Sequence, residues 1–150
     1  MFVKVLANVI GFLICTLPLA AVVVLAVWVR RAHDRRLDVH WRNLQAIRSN
    51  LQGQADIAIV EQVYQHARRG AKAVIRWRVT GYRQDTWFKG RHPARGSVLL
   101  LRGSTGWGPH NRNPNTFYVN AGDVLYSAPR GTIAAAGRQR RRDARKSGAR

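Results

Sequence analysis

The longest apolar segment of the chain runs from Val5 to Val29, 25 residues without a charged side chain. As a helix it measures about 37 Å, which exceeds the roughly 30 Å hydrocarbon core of a bilayer. Pro18 removes a backbone donor and predicts a kink, and Trp28 stands where an indole prefers the headgroup level. The pattern predicts a transmembrane anchor over residues 1–29, with the span marked by Val5, Pro18, Trp28 and Val29.

A cluster of arginines after this segment predicts its orientation. Only Lys4 precedes the segment, whereas Arg30, Arg31, Arg35 and Arg36 follow it within seven residues. Because such clusters stay on the cytoplasmic side, we expect a single-pass protein of the inner membrane, with its N-terminus outside and its C-terminus in the cytoplasm. We expect anionic lipid headgroups to contact these four arginines and four near the C-terminus, Arg138, Arg140, Arg141 and Arg142.

Beyond the apolar segment, the apolar residues continue to recur at intervals typical of a helix. A basic juxtamembrane helix is predicted over residues 30–52, because Leu37, Leu44 and Leu51 stand seven apart. This stripe favours packing on the domain or on the membrane surface, and the alternative is a weak homodimer through Leu37, Leu44, Ile47 and Leu51. Ala55 to Arg69 resembles a second helix, since its apolar positions repeat at intervals of three and four.

From Ile75 onward, apolar residues recur at every second position. Ile75, Trp77 and Val79 alternate with polar residues, which is typical of a half-buried strand. Strands are predicted near 74–80, 97–102, 116–119 and 123–127. They indicate a small antiparallel sheet, or a partly closed barrel, covered by the preceding helices.

The predicted domains are an anchor over 1–29, the helix over 30–52, a small α+β domain over 53–130 and a basic disordered tail over 131–150. The fold class is therefore a membrane-anchored α+β protein, with one transmembrane helix, juxtamembrane helices and a small antiparallel β domain.

The excess of basic over acidic residues indicates what kind of partner the protein binds. The chain carries 26 Lys and Arg against 7 Asp and Glu, a formal net charge of +19. Such a surplus favours an anionic partner, and the candidates are lipid headgroups, nucleic acid or an acidic protein. The one cysteine, Cys15, lies in the apolar segment, so no disulfide is expected in the rest of the chain.

Motifs that carry catalysis are missing from the sequence. There is no Gly-rich phosphate loop and no nucleophile elbow, and the five histidines lack metal-ligand spacing. We therefore expect no enzymatic activity, no cofactor and no metal.

Two basic and aromatic segments remain as candidate sites. Arg76, Arg78, Tyr82, Arg83 and Trp87 resemble the cations and rings of single-strand nucleic-acid platforms. However, Trp77 alternates onto the face opposite the arginines, which weakens that interpretation and predicts binding by charge alone. The long loop from Gly103 to Asn115 offers a partner anchor or a lid, and its candidate residues are Trp107, His110 and Arg112.

Taken together, the sequence favours a membrane protein of bacterial or phage type that presents a small basic domain as a non-enzymatic interaction module. The alternative is a membrane-tethered nucleic-acid-binding protein. A phage lysis protein of the holin type is a third hypothesis, against which the structured domain argues, because hole formation needs little beyond the span.

Overall fold

The computed structural model describes the backbone of residues 2–102 and 116–148, and the side chains of those residues from 21 onward. Helix α1 spans Phe2–Asn50 and precedes four strands, β1 Ala55–Ala67, β2 Gly70–Trp77, β3 Arg83–Lys89 and β4 Val98–Arg102. Strand β5, Phe117–Val119, leads through a short 3₁₀ turn to β6, Val124–Ala128. Helix α2, Thr132–Ser147, follows.

The prediction of an N-terminal transmembrane anchor is wrong. In the part of the chain that the structure describes, no helix has the length and apolar character needed to cross a membrane. For the same reason, three further predictions are wrong: the single-pass topology, the inner-membrane localisation and the membrane-anchored fold class.

The four residues named for the predicted span all belong to α1. The side chains of Val5 and Pro18 lie outside the described residues, although both positions belong to α1. Trp28 and Val29 are exposed on the helix surface.

Within the described residues, six strands form one mixed sheet in the order β5-β3-β2-β1-β4-β6. The prediction of a purely antiparallel sheet is wrong, because β3 and β5 run parallel. Strands β5 and β6 lie at opposite edges, yet only residues 120–123 separate them. A flat sheet would hold its edges about 24 Å apart, whereas this connection reaches about 17 Å when fully extended. The sheet is therefore curled into an open barrel.

Two apolar layers lie on the two sides of this curled sheet. The inner layer, which we call the barrel core, consists of Ala58, Val60, Ala73, Ile75, Trp77, Phe88, Leu99, Leu101 and Val119. The outer layer packs the sheet against the helices and consists of Trp41, Leu44, Ala55, Ile57, Val98, Leu100, Ala128 and Ala136. The continuous apolar sequence of β4 follows from this arrangement, because alternate residues enter opposite layers.

The prediction of a second helix over Ala55–Arg69 is wrong, because this segment contains β1. The register of β1 against β2 shifts between Val60 and Gln62 and again between Val63 and Gln65. Each β-bulge adds one residue to the strand, so the inward spacing changes from two, at Ala58 and Val60, to three, at Val63. An interval of three within a β-strand imitates helical spacing.

The heptad stripe of α1 packs within the chain. Leu37 and Leu44 are buried, and Ile47 and Leu51 pack against the outer layer. Leu44, Ile47 and Leu51 of the predicted homodimer stripe thus pack against the sheet of their own chain, and the weak homodimer stays a prediction.

The prediction of a disordered tail over 131–150 is wrong for the described residues 131–148, which contain α2. Thr132, Ala135 and Ala136 are buried, and they bring α2 close to α1 because their side chains are small. Further along, Asp34 of α1 accepts hydrogen bonds from Arg138 at 2.7 and 3.2 Å and from Arg142 at 3.2 Å. Alanines and two ion pairs with Asp34 hold this helix, which explains why it shows no long apolar period.

Candidate nucleic-acid interface

The outer surface of the curled sheet is divided into two faces. The covered face comprises the outward residues under the helices, represented by Ile57, Val98 and Leu100. The open face lies on β2, β3, β5 and the second half of β1. Its outward side chains are Glu61, Tyr64, Lys72, Val74, Arg76, Arg83, Asp85, Trp87, Lys89 and Tyr118.

Strand alternation orients the side chains of the open face. Ala73, Ile75, Phe88 and Val119 are buried in the barrel core. Since successive residues of a strand point to opposite sides, the residues between and beside them point outward. The burial of β2 and β3 alternates accordingly along each strand.

Two aromatic rings stand side by side on this face. Trp87 of β3 is paired in register with Tyr118 of the parallel strand β5, and on its other side with Lys72 of β2. Neighbouring strands are about 4.8 Å apart, so an indole, a phenol and an ammonium form one continuous row. Tyr118 is 69% exposed and Trp87 is half-buried. We call these three residues the aromatic row.

Two arginines lie further along the same strands, held by one carboxylate. Arg76 and Arg83 are directly paired across β2 and β3. Their Nε atoms donate to the two oxygens of Glu61, at 2.6 and 2.7 Å. Each guanidinium has five N–H donors, so both arginines keep donors beyond the one that Glu61 accepts. Glu61 therefore positions the two cations while neutralising only part of their charge.

Asp85 fixes the middle of the open face. Its oxygens accept hydrogen bonds from the hydroxyl of Tyr64 at 2.5 Å and from that of Thr116 at 2.9 Å. Desolvation of the Tyr64 hydroxyl, together with the bond to Asp85, raises the pKa of Tyr64 to about 12. This carboxylate links β1, β3 and the residue before β5, and so it fixes Tyr118 relative to Trp87.

The structure brings only some of the predicted nucleic-acid residues together on the open face. Arg76, Arg83 and Trp87 are brought together on the open face. Tyr82 instead packs against the barrel core, and Arg78 lies beyond the end of β2, 4.9 Å above the ring of Trp41. The sequence interpretation missed Tyr118 and Lys72, although the lysine stands at the alternating outward position before Val74.

The predicted partner anchor, Trp107, His110 and Arg112, lies outside the described residues. The predicted lipid-contact arginines are distributed over two helices. Arg31, Arg35 and Arg142 line a cleft between α1 and α2, and Arg138 contacts Asp34. Arg30, Arg36, Arg140 and Arg141 are exposed.

The side chains of the open face are suited to binding an anionic, aromatic ligand. It offers ammonium and guanidinium groups, exposed rings and two carboxylates that are already hydrogen-bonded. Among the described residues, no group of three or more His, Cys, Asp or Glu side chains could hold a metal ion. Comparison of the chain with family models, with curated proteins and with solved structures gave no match.

Proposed function

We propose that the open face binds single-stranded nucleic acid, with bases stacked on Trp87 and Tyr118 and phosphates paired with the surrounding cations. The observation that carries the proposal is the aromatic row, in which two outward rings and Lys72 stand on three neighbouring strands. In the sequence, only the alternation of Trp77 away from the arginines weakens such a platform. Trp77 belongs to the barrel core, whereas Trp87 lies on the same face as Arg76 and Arg83.

The arrangement favours an unpaired strand over a duplex. A ring can stack only on a base whose face is accessible, which double-stranded nucleic acid does not offer. Stacking on aromatic side chains contributes about 1–3 kcal/mol per base and tolerates every sequence. Lys72 and Lys89 adjoin the rings, and Arg76 and Arg83 extend the positive charge along the strands. We therefore expect sequence-tolerant binding.

The proposal is tested by the affinity of the full chain for a labelled single-stranded oligothymidylate, measured by fluorescence anisotropy. Tyr118→Ala and Trp87→Ala should each weaken binding by about tenfold or more, because each removes one stacked base. Trp28→Ala is the matched control, since it removes an exposed ring from α1, and it should bind as the unaltered protein does.

Two outcomes contradict the proposal. In one, the ring variants bind as tightly as the control while their circular dichroism is unchanged. In the other, a duplex of the same length binds as tightly as the single strand.

A further inference from the structure

A second basic surface lies away from the open face, between the two helices. It is a cleft of about 610 Å³ lined by Arg31, Arg35, Gln139, Arg142, Arg145 and Lys146. Five of these six residues are cationic and none is acidic. The volume falls within the range of about 300–1,000 Å³ that is common for small-molecule sites. We call it the arginine cleft.

A buried carboxylate holds the two walls of the cleft together and pairs with only one of the cations that line it, Arg142. Asp34 is 1% exposed, and its oxygens are engaged by Arg138 and Arg142. The hydrogen bond from Arg138 lowers the pKa of Asp34, so this carboxyl stays ionised. Arg142 uses one guanidinium nitrogen for Asp34 and has further donors for the cleft. Arg31, Arg35, Arg145 and Lys146 contribute the rest of the positive charge.

The spacing of the cations suits an anion with several charged groups. Arg31 and Arg35 stand one turn apart on α1, and Arg142 and Lys146 stand one turn apart on α2. Residues four apart on a helix are neighbours about 6 Å from each other, so each wall presents two cations in a row. An anion with several phosphates offers enough charged oxygens to pair with cations of both walls.

We propose that the arginine cleft binds a compact oligophosphate, either inorganic triphosphate or the triphosphate of a nucleotide. Guanidinium groups bind phosphate oxygens through paired, charge-assisted hydrogen bonds. Like charges that converge in one cleft repel each other, and a multivalent anion removes this repulsion. The site is separate from the aromatic row and does not depend on nucleic-acid binding.

Isothermal titration calorimetry of the full chain at fixed ionic strength tests this proposal. Inorganic triphosphate should bind more tightly than sulfate by about tenfold or more. The double variant Arg35→Gln with Arg145→Gln should lose about tenfold or more of that affinity. The matched control, Arg36→Gln with Arg140→Gln, removes the same charge from exposed positions outside the cleft and should keep the affinity.

Two further measurements identify which part of the ligand is recognised and at which site it binds. Equal binding of ATP and inorganic triphosphate supports recognition of the phosphates, and Trp87→Ala should leave both affinities unchanged. The proposal is overturned if triphosphate binds no better than sulfate, or if the control pair loses as much affinity as the cleft pair.

Discussion

The covered face and the open face belong to one sheet and follow the same alternation, yet their outward residues differ in kind. On the covered face the outward positions are Ile57, Val98 and Leu100, and helix α1 packs over them. On the open face the equivalent positions of β2 and β3 include Lys72, Arg76 and Trp87. Burial requires apolar outward residues on one face, while exposure on the other allows charge and rings to accumulate. The difference separates the face that packs in the fold from the face that we propose for binding.

The largest expected effect comes from the covered face. Leu44→Ala removes a fully buried side chain from the outer layer and should lower the free energy of unfolding by about 2–5 kcal/mol. Tyr118→Ala on the open face should change it by no more than about 0.5 kcal/mol. Urea denaturation of both variants measures the contrast. Equal losses would show that the open face also contributes to folding.

A smaller loss is expected at the contact between α1 and α2. Asp34→Asn leaves Arg138 and Arg142 without their carboxylate and should cost about 2 kcal/mol. The loss stays below the 3–5 kcal/mol typical of broken buried pairs, because both guanidinium groups are partly exposed to water. The control is Asp38→Asn, whose exposed partner Arg42 stands four residues on, and it should cost about 0.5 kcal/mol at most. Similar losses in both variants would contradict the structural role of Asp34.

The contribution of Asp34 should also depend on pH. The folded pKa of this carboxyl lies below its ordinary value of 3.8, so protonation favours the unfolded chain. The stability that Asp34 supplies is fully present above the unfolded pKa and is lost as pH falls through the folded one. The stability difference between the unaltered chain and Asp34→Asn should thus be constant at neutral pH and shrink below about pH 4. A difference that grows on acidification would contradict this sign.

The smallest effect is expected within the open face. Tyr64→Phe removes the hydroxyl that donates to Asp85 and should cost about 0.5–1.5 kcal/mol. Since the pKa of Tyr64 is raised to about 12, the contribution is complete below pH 10 and declines as pH approaches 12. Tyr118→Phe, for which no bond to Asp85 is present, should be neutral in urea denaturation. The prediction fails if the two phenylalanine variants are equally stable.

The alternation of Ile75 with Trp77 and the apolar sequence of β4 could be predicted from the sequence, because apolar residues recur there at short, regular intervals. The predicted bounds 74–80 were wrong, since β2 spans Gly70–Trp77 and Val79 lies exposed beyond its end. The β1 segment could not be predicted, since its two bulges change the inward spacing to three at Val63. Helix α2 could not be predicted either. Its contacts are made by Ala135, Ala136 and the pairing of Arg138 with Asp34, which are more than a hundred residues apart.

The candidate site was predicted in part. Arg76, Arg83 and Trp87 stand near one another in the sequence, but the pairing of β2 with β3, which was not predicted, is what places them on one face. Tyr118 joins them only through the parallel pairing of β5 with β3. No local pattern indicates that pairing, because the sequence alone does not determine how the chain between β4 and β5 connects them.

A salt titration distinguishes stacking on the rings of the open face from attraction by its charge alone. Binding of the full chain to single-stranded oligothymidylate should weaken with salt, with log K falling by about 0.7 per phosphate contact. At high salt a residual affinity should remain for the unaltered protein and disappear in the Trp87→Ala, Tyr118→Ala double variant, while the salt slope stays the same. If both proteins follow one line at every salt concentration, the rings contribute nothing and stacking of bases on the open face is contradicted.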